Sequence, residues 1–161
     1  MNVRYINPCV NSIGRVFMTM RWVDITFGIP RLDAFEGIRP DVSEMIGFSG
    51  DASGSVVPSF PKLVAVKDVS QFAGAELDVS HEDFADAVGE LANMAAGGAK
   101  AEFDGLDVSN GLSSVITGEG HEVSPSNAHP QLIIPVKTPF DSFHVCVTMK
   151  IEKPAMAGAA S

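Results

Sequence analysis

Residues Val42–Phe60 read VSEMIGFSGDASGSVVPSF, two stretches of apolar and β-branched residues with the small polar segment Gly50-Asp51-Ala52-Ser53-Gly54 between them. Glycine, aspartate and serine favour tight turns, because glycine adopts left-handed backbone angles and the polar side chains hydrogen-bond their own main chain. The stretch therefore predicts a β-hairpin, with an antiparallel strand on either side of the polar segment.

Two helices are predicted to flank this hairpin in the sequence. The first starts at Asn7-Pro8, because an asparagine side chain caps a helix well and proline suits its first turn. The second starts at Pro61 and ends near Phe72, and Gly74 then follows as a residue that commonly closes helices.

After a third, longer helix from Ser80 to about Phe103, the chain takes on the composition of strands. The predicted strands there are Leu106–Ser109, Ser114–Gly118, Gln131–Thr138 and Phe143–Ile151, and Val23–Phe27 has strand character near the N-terminus. Because neighbouring strands do not alternate with helices, we predict an α+β fold, a mostly antiparallel β-sheet with helices packed on one face. Residues 1–153 are expected to form a single domain, and residues 154–161 a tail of small residues.

Charge and cysteine content narrow the classes of function. The 161 residues carry a formal net charge of −9, which argues against nucleic acid or an anionic membrane surface as a partner, since both attract basic proteins. No apolar run is long enough to span a bilayer and the first residues lack a secretion signal, so a cytoplasmic location is expected. Cys9 and Cys146 lie far apart in the sequence, so we expect two buried free thiols and neither a disulfide nor a zinc site. The histidines are not spaced like the ligands of a metal ion, so no metal site is expected.

The long third helix is predicted to have one apolar side and one polar side. At about 100° per residue, one side of the helical wheel is an apolar stripe that should pack on the sheet: Phe84, Val88, Leu91 and Ala95. The opposite side carries Asp86, Glu90, Asn93, Gly97 and Lys100. Glu90 and Asn93 are three residues apart, so their side chains are neighbours and can reach a common target.

A solvated helix surface is the simpler explanation of such a pair. Two features favour a partner instead: asparagine is a poor helix former, and Gly97 and Gly98 each destabilise a helix interior by about 1 kcal/mol relative to alanine. A bare strip of backbone suits a partner that approaches closely, although small residues also serve packing inside a fold.

Three segments together resemble the CheC/CheX/FliY chemotaxis phosphatases. Asp86–Lys100, DAVGELANMAAGGAK, resembles the family's active-site helix, whose motif is an acidic or serine residue followed by Glu-x-x-Asn. The resemblance extends to Tyr5–Pro8 and to Ile46–Val57. The CheC branch carries a second Glu-x-x-Asn pair on its first helix, where this chain has Asn11 and Arg15 but no glutamate, so the chain resembles CheX.

The resemblance implies an activity, a partner and roles for residues. The chain would dephosphorylate the phospho-aspartate of a CheY-like receiver, which supplies its own Mg²⁺ and a lysine, so that this chain binds no cofactor. Asn93 would hold the attacking water and Glu90 would pair with the receiver lysine, while Asp86, Gly97 and Lys100 would contact the partner. A homodimer is also implied. The alternative is a non-catalytic module that binds a response regulator or another protein of chemotaxis adaptation.

Overall fold

The computed structural model describes residues 3–21, 24–32, 38–123 and 131–152. Its helices are α1 (Val3–Arg21), α2 (Lys62–Ala73) and α3 (Phe84–Glu102). Its strands are β1 (Thr26–Phe27), β2 (Arg31–Leu32), β3 (Val42–Gly50), β4 (Ala52–Phe60), β5 (Val108–Thr117), β6 (Leu132–Lys137) and β7 (Ser142–Ile151). Val23 and the predicted tail 154–161 lie outside the described residues.

The seven strands form one sheet in which every pairing is antiparallel. The strand order is β1-β6-β7-β4-β3-β5, and β2 also pairs with β6. The predicted hairpin is present as β3 and β4, with Val42 opposite Phe60. Its turn is tighter than predicted, because Ser53 and Gly54 already pair with β7 and belong to β4.

All three helices pack on one face of this sheet, as predicted. Buried side chains from the helices meet one another and the sheet in a continuous core: Ile6, Cys9 and Ile13 of α1, Val64 of α2, and Ala92, Ala95, Ala96 and Ala99 of α3, against Ile46, Phe48, Val56, Val145 and Val147 of the strands. Strand residues on the opposite face of the sheet form a separate, smaller cluster, in which Cys146 packs against Val57 and Val123. The α+β prediction is therefore confirmed.

Both cysteines are buried and free, as expected. Burial disfavours the charged thiolate, which raises the pKa of Cys9 to about 12 and that of Cys146 to about 11. Both therefore stay protonated at neutral pH and act as apolar filling.

Two predicted helix starts are wrong by a few residues. Helix α1 begins at Val3 and holds Pro8 inside it. Since Ile6 is buried like the apolar residues after it, the packing stripe continues upstream of the proline and compensates for the single backbone hydrogen bond that proline removes. Helix α3 begins at Phe84 instead of Ser80, because a turn precedes it in which the Phe84 N–H donates to the His81 carbonyl.

Helix α2 matches its prediction closely. It covers Lys62–Ala73 after Pro61, and Gly74 follows it with φ 67°, in the left-handed region, while its N–H donates to the Ser70 carbonyl. This is the glycine closure that the sequence predicts.

A cavity of about 50 Å³ lies between the helices and the sheet, and the carboxyl of Glu44 lines it. Glu44 is only 3% exposed, and its Oε1 atom has no hydrogen-bond partner in the described part of the chain. Burial disfavours the charged form and raises the pKa of this carboxyl to about 8. Glu44 is therefore protonated in the folded protein at neutral pH.

The variant Glu44→Gln should change how stability depends on pH. Between the ordinary value of 4.5 and about pH 8 the folded parent keeps a proton that the unfolded chain has lost, so the parent's stability falls as pH rises through this window. Glutamine does not titrate, so the variant should gain free energy of unfolding relative to the parent, on the order of a few kcal/mol by the top of the window. Urea denaturation at several pH values measures this, and a difference that stays constant with pH would contradict a neutral buried Glu44.

Candidate functional site

Helix α3 lies with one side in the core and the other in solvent. The buried side consists of Phe84, Val88, Ala92, Ala95, Ala96 and Ala99, and Leu91, predicted to be part of it, is half-buried. The side we call the outer face carries Asp86, Glu90, Asn93, Gly97 and Lys100, and all five residues are exposed. The buried alanines anchor the helix in the core, so the outer face is presented from an element packed on the fold.

Glu90 and Asn93 stand at the middle of the outer face, one helical turn apart. Within the described part of the chain Glu90 makes no hydrogen bond or ion pair, so its carboxylate is available to a cationic group. Asn93 Oδ1 accepts a hydrogen bond of 3.5 Å from Ser113 Oγ on β5. An exposed carboxylate and an amide, side by side, can bind a lysine and orient a water molecule respectively.

Ser113 is the site residue that the sequence did not indicate. The sequence predicted two strands, Leu106–Ser109 and Ser114–Gly118, whereas the structure has the single strand β5 through Gly111. The prediction failed because glycine and asparagine at this point resemble a turn. Their pairing partners on β3, distant in sequence, keep the strand continuous.

The two adjacent glycines of α3 have different surroundings. A Cβ atom at Gly98 would overlap Ser12 Oγ and lie 3.3 Å from Ser12 Cβ, so Gly98 lets α1 approach α3 closely. The same serine donates a 2.5 Å hydrogen bond to the Ala95 carbonyl. A Cβ at Gly97 would meet nothing within 4 Å. Internal packing therefore explains Gly98, and only Gly97 remains open to a partner.

Alanine at these two positions should have opposite effects on stability. Gly98→Ala forces the Ser12 hydroxyl to move and should lower the free energy of unfolding by about 1–3 kcal/mol. Gly97→Ala adds a better helix former in open space and should raise it by up to about 1 kcal/mol. Urea denaturation of the two variants side by side measures both, and stabilisation by Gly98→Ala would show that α1 does not depend on this close approach.

Two polar side chains of α1, Asn11 and Arg15, contact the last residue of α3. The Asn11 side-chain amide donates a 3.3 Å hydrogen bond to Glu102 Oε2, and Arg15 forms an ion pair with Glu102 Oε1. Glu102 is the last residue of α3. Asn11 and Arg15 thus connect the two helices near one end of α3 and help to fix the orientation of the outer face.

The acidic residues and histidines of the described chain do not form a metal site. In the residues that the structure describes, no group of three histidine, cysteine, aspartate or glutamate side chains is arranged to hold a metal ion. His121 is engaged locally, with its ring nitrogens 2.8 Å from the Gly118 carbonyl and 2.8 Å from Ser43 Oγ. His129 lies outside the described residues. No helix in the described ranges is both long and apolar enough to cross a membrane.

Sequence comparison connects this arrangement to known proteins. The family described as chemotaxis phosphatase CheX matches residues 42–137, more than half of the chain. The chain is also 30% identical over 98 residues to the CheY-P phosphatase CheX of Thermotoga maritima, an alignment that covers 60% of this chain and 63% of the relative. It thus spans less than two thirds of that relative's length.

Solved structures share the fold over nearly their whole length. A chemotaxis protein CheX from Desulfovibrio desulfuricans superimposes with a TM-score of 0.84 at 30% identity, covering 91% of this chain and 99% of the other. CheX in a CheX–CheY–BeF3–Mg²⁺ complex from Borrelia burgdorferi has a TM-score of 0.75 at 24% identity, covering 91% and 97%. The match of the family over most of the sheet and all of α3 shows that this chain belongs to the CheX family of chemotaxis phosphatases.

Proposed function

We propose that this chain hydrolyses the phospho-aspartate of a CheY-like receiver, with Asn93 positioning the attacking water and Glu90 pairing with the receiver's lysine. The observation that carries the proposal is the outer face of α3, where an exposed carboxylate and an exposed amide lie one turn apart on a helix anchored by its buried alanines. Family membership and the phosphatase relative support the reaction. The same fold was solved in complex with CheY, which supports a receiver as partner.

In this proposal the chain supplies only two groups to the reaction, an amide that positions the water and a carboxylate that docks the receiver. The receiver would hold the Mg²⁺, which would neutralise charge on the phosphoryl oxygens. The transition state of phosphoryl transfer is loose, so it needs an oriented water more than a strong base. The Asn93 amide has a donor and an acceptor and can hold that water on the line of attack. Glu90, which has no partner in the described part of the chain, pairs with the lysine and fixes how the receiver docks.

The remaining residues of the outer face form the docking surface in this proposal. Asp86 lies in the first turn of α3 and Lys100 in the last, so the surface presents opposite charges at its two ends. Gly97 lies between them and has open space above its backbone. A receiver backbone can therefore approach Gly97 closely while charged groups at both ends set its direction.

A homodimer and a cytoplasmic location complete the proposal. Strand β5 ends the sheet and, among the described residues, pairs only with β3. Its sequence, VSNGLSSVIT, has no lysine or proline, the residues that commonly protect an exposed edge from further pairing. Pairing of two β5 edges is thus a direct route to a dimer, which light scattering of the purified protein would detect.

A decay experiment separates catalysis from mere binding. The purified chain is mixed with a CheY-type receiver from the same genome that has been phosphorylated with radiolabelled acetyl phosphate and freed of excess reagent. A phosphatase present at a small fraction of the receiver concentration shortens the lifetime of the label on the receiver and turns over many times. A non-catalytic binding module would leave that lifetime unchanged or prolong it, and this result would favour the alternative function.

A further inference from the structure

An irregularity in the β3–β5 pairing decides which β5 side chains face α3. Ile46 pairs with Ser113 and Phe48 pairs with Asn110, so Gly47 alone lies opposite two residues, Gly111 and Leu112. This is a β-bulge, a feature that re-aims side chains and is frequent beside active sites.

The bulge brings Ser113 to the helix side of the sheet. Paired residues of antiparallel strands point to the same face, and Ile46 belongs to the core beneath the helices. Ser113 therefore points towards α3, where it is half-buried. Ser114 pairs with Met45 and points to the other face.

The Ser113 hydroxyl donates to Asn93 Oδ1 at 3.5 Å. An exposed asparagine on a helix otherwise samples several side-chain rotamers, and its amide rotates freely about the last bond. The 3.5 Å separation makes this a weak hydrogen bond, since O–H···O bonds are usually about 2.7–2.8 Å long, and it favours the orientation in which Oδ1 faces β5. One lone pair of Oδ1 and both N–H groups of Nδ2 then remain for a water molecule and a phosphoryl oxygen.

We propose that Ser113 is a positioning residue, which orients the Asn93 amide for water before the receiver docks. The inference rests on the proposed function of the outer face and adds a residue to it. Ser113 acts only through Asn93 and touches no reacting atom. Its effect is expected in the rate of the chemical step and not in the affinity for the receiver.

Single-turnover dephosphorylation with excess chain tests this. Ser113→Ala should lower the rate at saturation by about three- to fivefold, the effect of losing one weak neutral hydrogen bond in the transition state, with the half-saturating concentration unchanged. Ser113→Thr keeps the hydroxyl and should restore the parent rate. Ser114→Ala, on the opposite face, is the matched control and should equal the parent.

Two further readouts distinguish orientation from stability. The side-chain NH₂ resonances of Asn93 should shift in Ser113→Ala while backbone resonances of α3 stay in place. In an Asn93→Ala background, Ser113→Ala should cause no additional loss of rate. If Ser113→Ala proves unstable, Ser113→Cys, similar in size but a weak donor, makes the same comparison.

The outcomes separate this inference from the proposed function. If Ser113→Ala hydrolyses at the parent rate while Asn93→Ala is inactive, the positioning role is overturned and the proposed function stands. If Asn93→Ala itself hydrolyses at the parent rate, both are overturned. A loss by Ser113→Ala that Ser113→Thr does not restore would also contradict a role for the hydroxyl.

Discussion

Asn93→Ala is expected to slow dephosphorylation of a phosphorylated CheY-type receiver by about 100-fold or more while the complex still forms, an effect typical of losing a preorganised hydrogen-bonding group. Asn93 is exposed on the outer face of α3, and the buried alanines that anchor the helix are untouched by the change. The fold and the docking surface should therefore persist. Because only the group that holds the water is removed, the rate constant of hydrolysis should fall while the affinity for the receiver is kept.

The measurement is the decay of a radiolabelled phospho-receiver, together with the affinity of the complex by titration calorimetry. Glu90→Ala should behave differently, weakening both binding and hydrolysis, because it removes the proposed partner of the receiver lysine. Glu76→Ala, an exposed residue between α2 and α3, is the control and should leave both quantities unchanged. Equal hydrolysis by Asn93→Ala and the parent would show that the assignment of the outer face is wrong.

The largest effect on stability is expected from Gly54→Ala. Gly54 lies in β4 with φ 153°, and a Cβ atom there would overlap the Thr148 carbonyl oxygen of β7 and lie 2.8 Å from its carbon. Both atoms belong to the backbone of the neighbouring strand, so no side-chain rotation relieves the overlap. The β4–β7 pairing must separate locally, and we expect a loss of about 3 kcal/mol or more in free energy of unfolding.

Gly47→Ala is the matched comparison, one strand away. A Cβ at Gly47 would meet nothing within 4 Å, and Gly47 pairs with Ser55, the residue after Gly54. The free energy of unfolding should change by less than about 1 kcal/mol, since alanine only removes glycine's extra backbone freedom. Urea denaturation measures the free energy of unfolding of both variants. Similar values for the two would show that β4 does not need a glycine at position 54.

Much of the architecture was predictable because it depends on local periodicity. The hairpin from Val42 to Phe60, helix α2 with its closing Gly74, and the polar side of α3 all follow from patterns within a few residues. The errors have a common cause. Local preferences predict a break between two strands at residues 110–113 and a helix start at Pro8. In the fold, pairing with β3 keeps the strand continuous, and packing on the core extends the helix upstream of the proline.

The sequence by itself determined the α+β class, the family resemblance and the spacing that puts Glu90 and Asn93 on one side of a helix, because a helix's geometry converts a three-residue interval directly into neighbouring side chains. Only the tertiary structure decided that Gly98 serves α1 packing, that Glu44 is held without a hydrogen-bond partner for Oε1 among the described residues, and that Ser113 reaches Asn93. These contacts join residues far apart along the chain. Their distances depend on how strands register and helices cross, which no short stretch of sequence specifies.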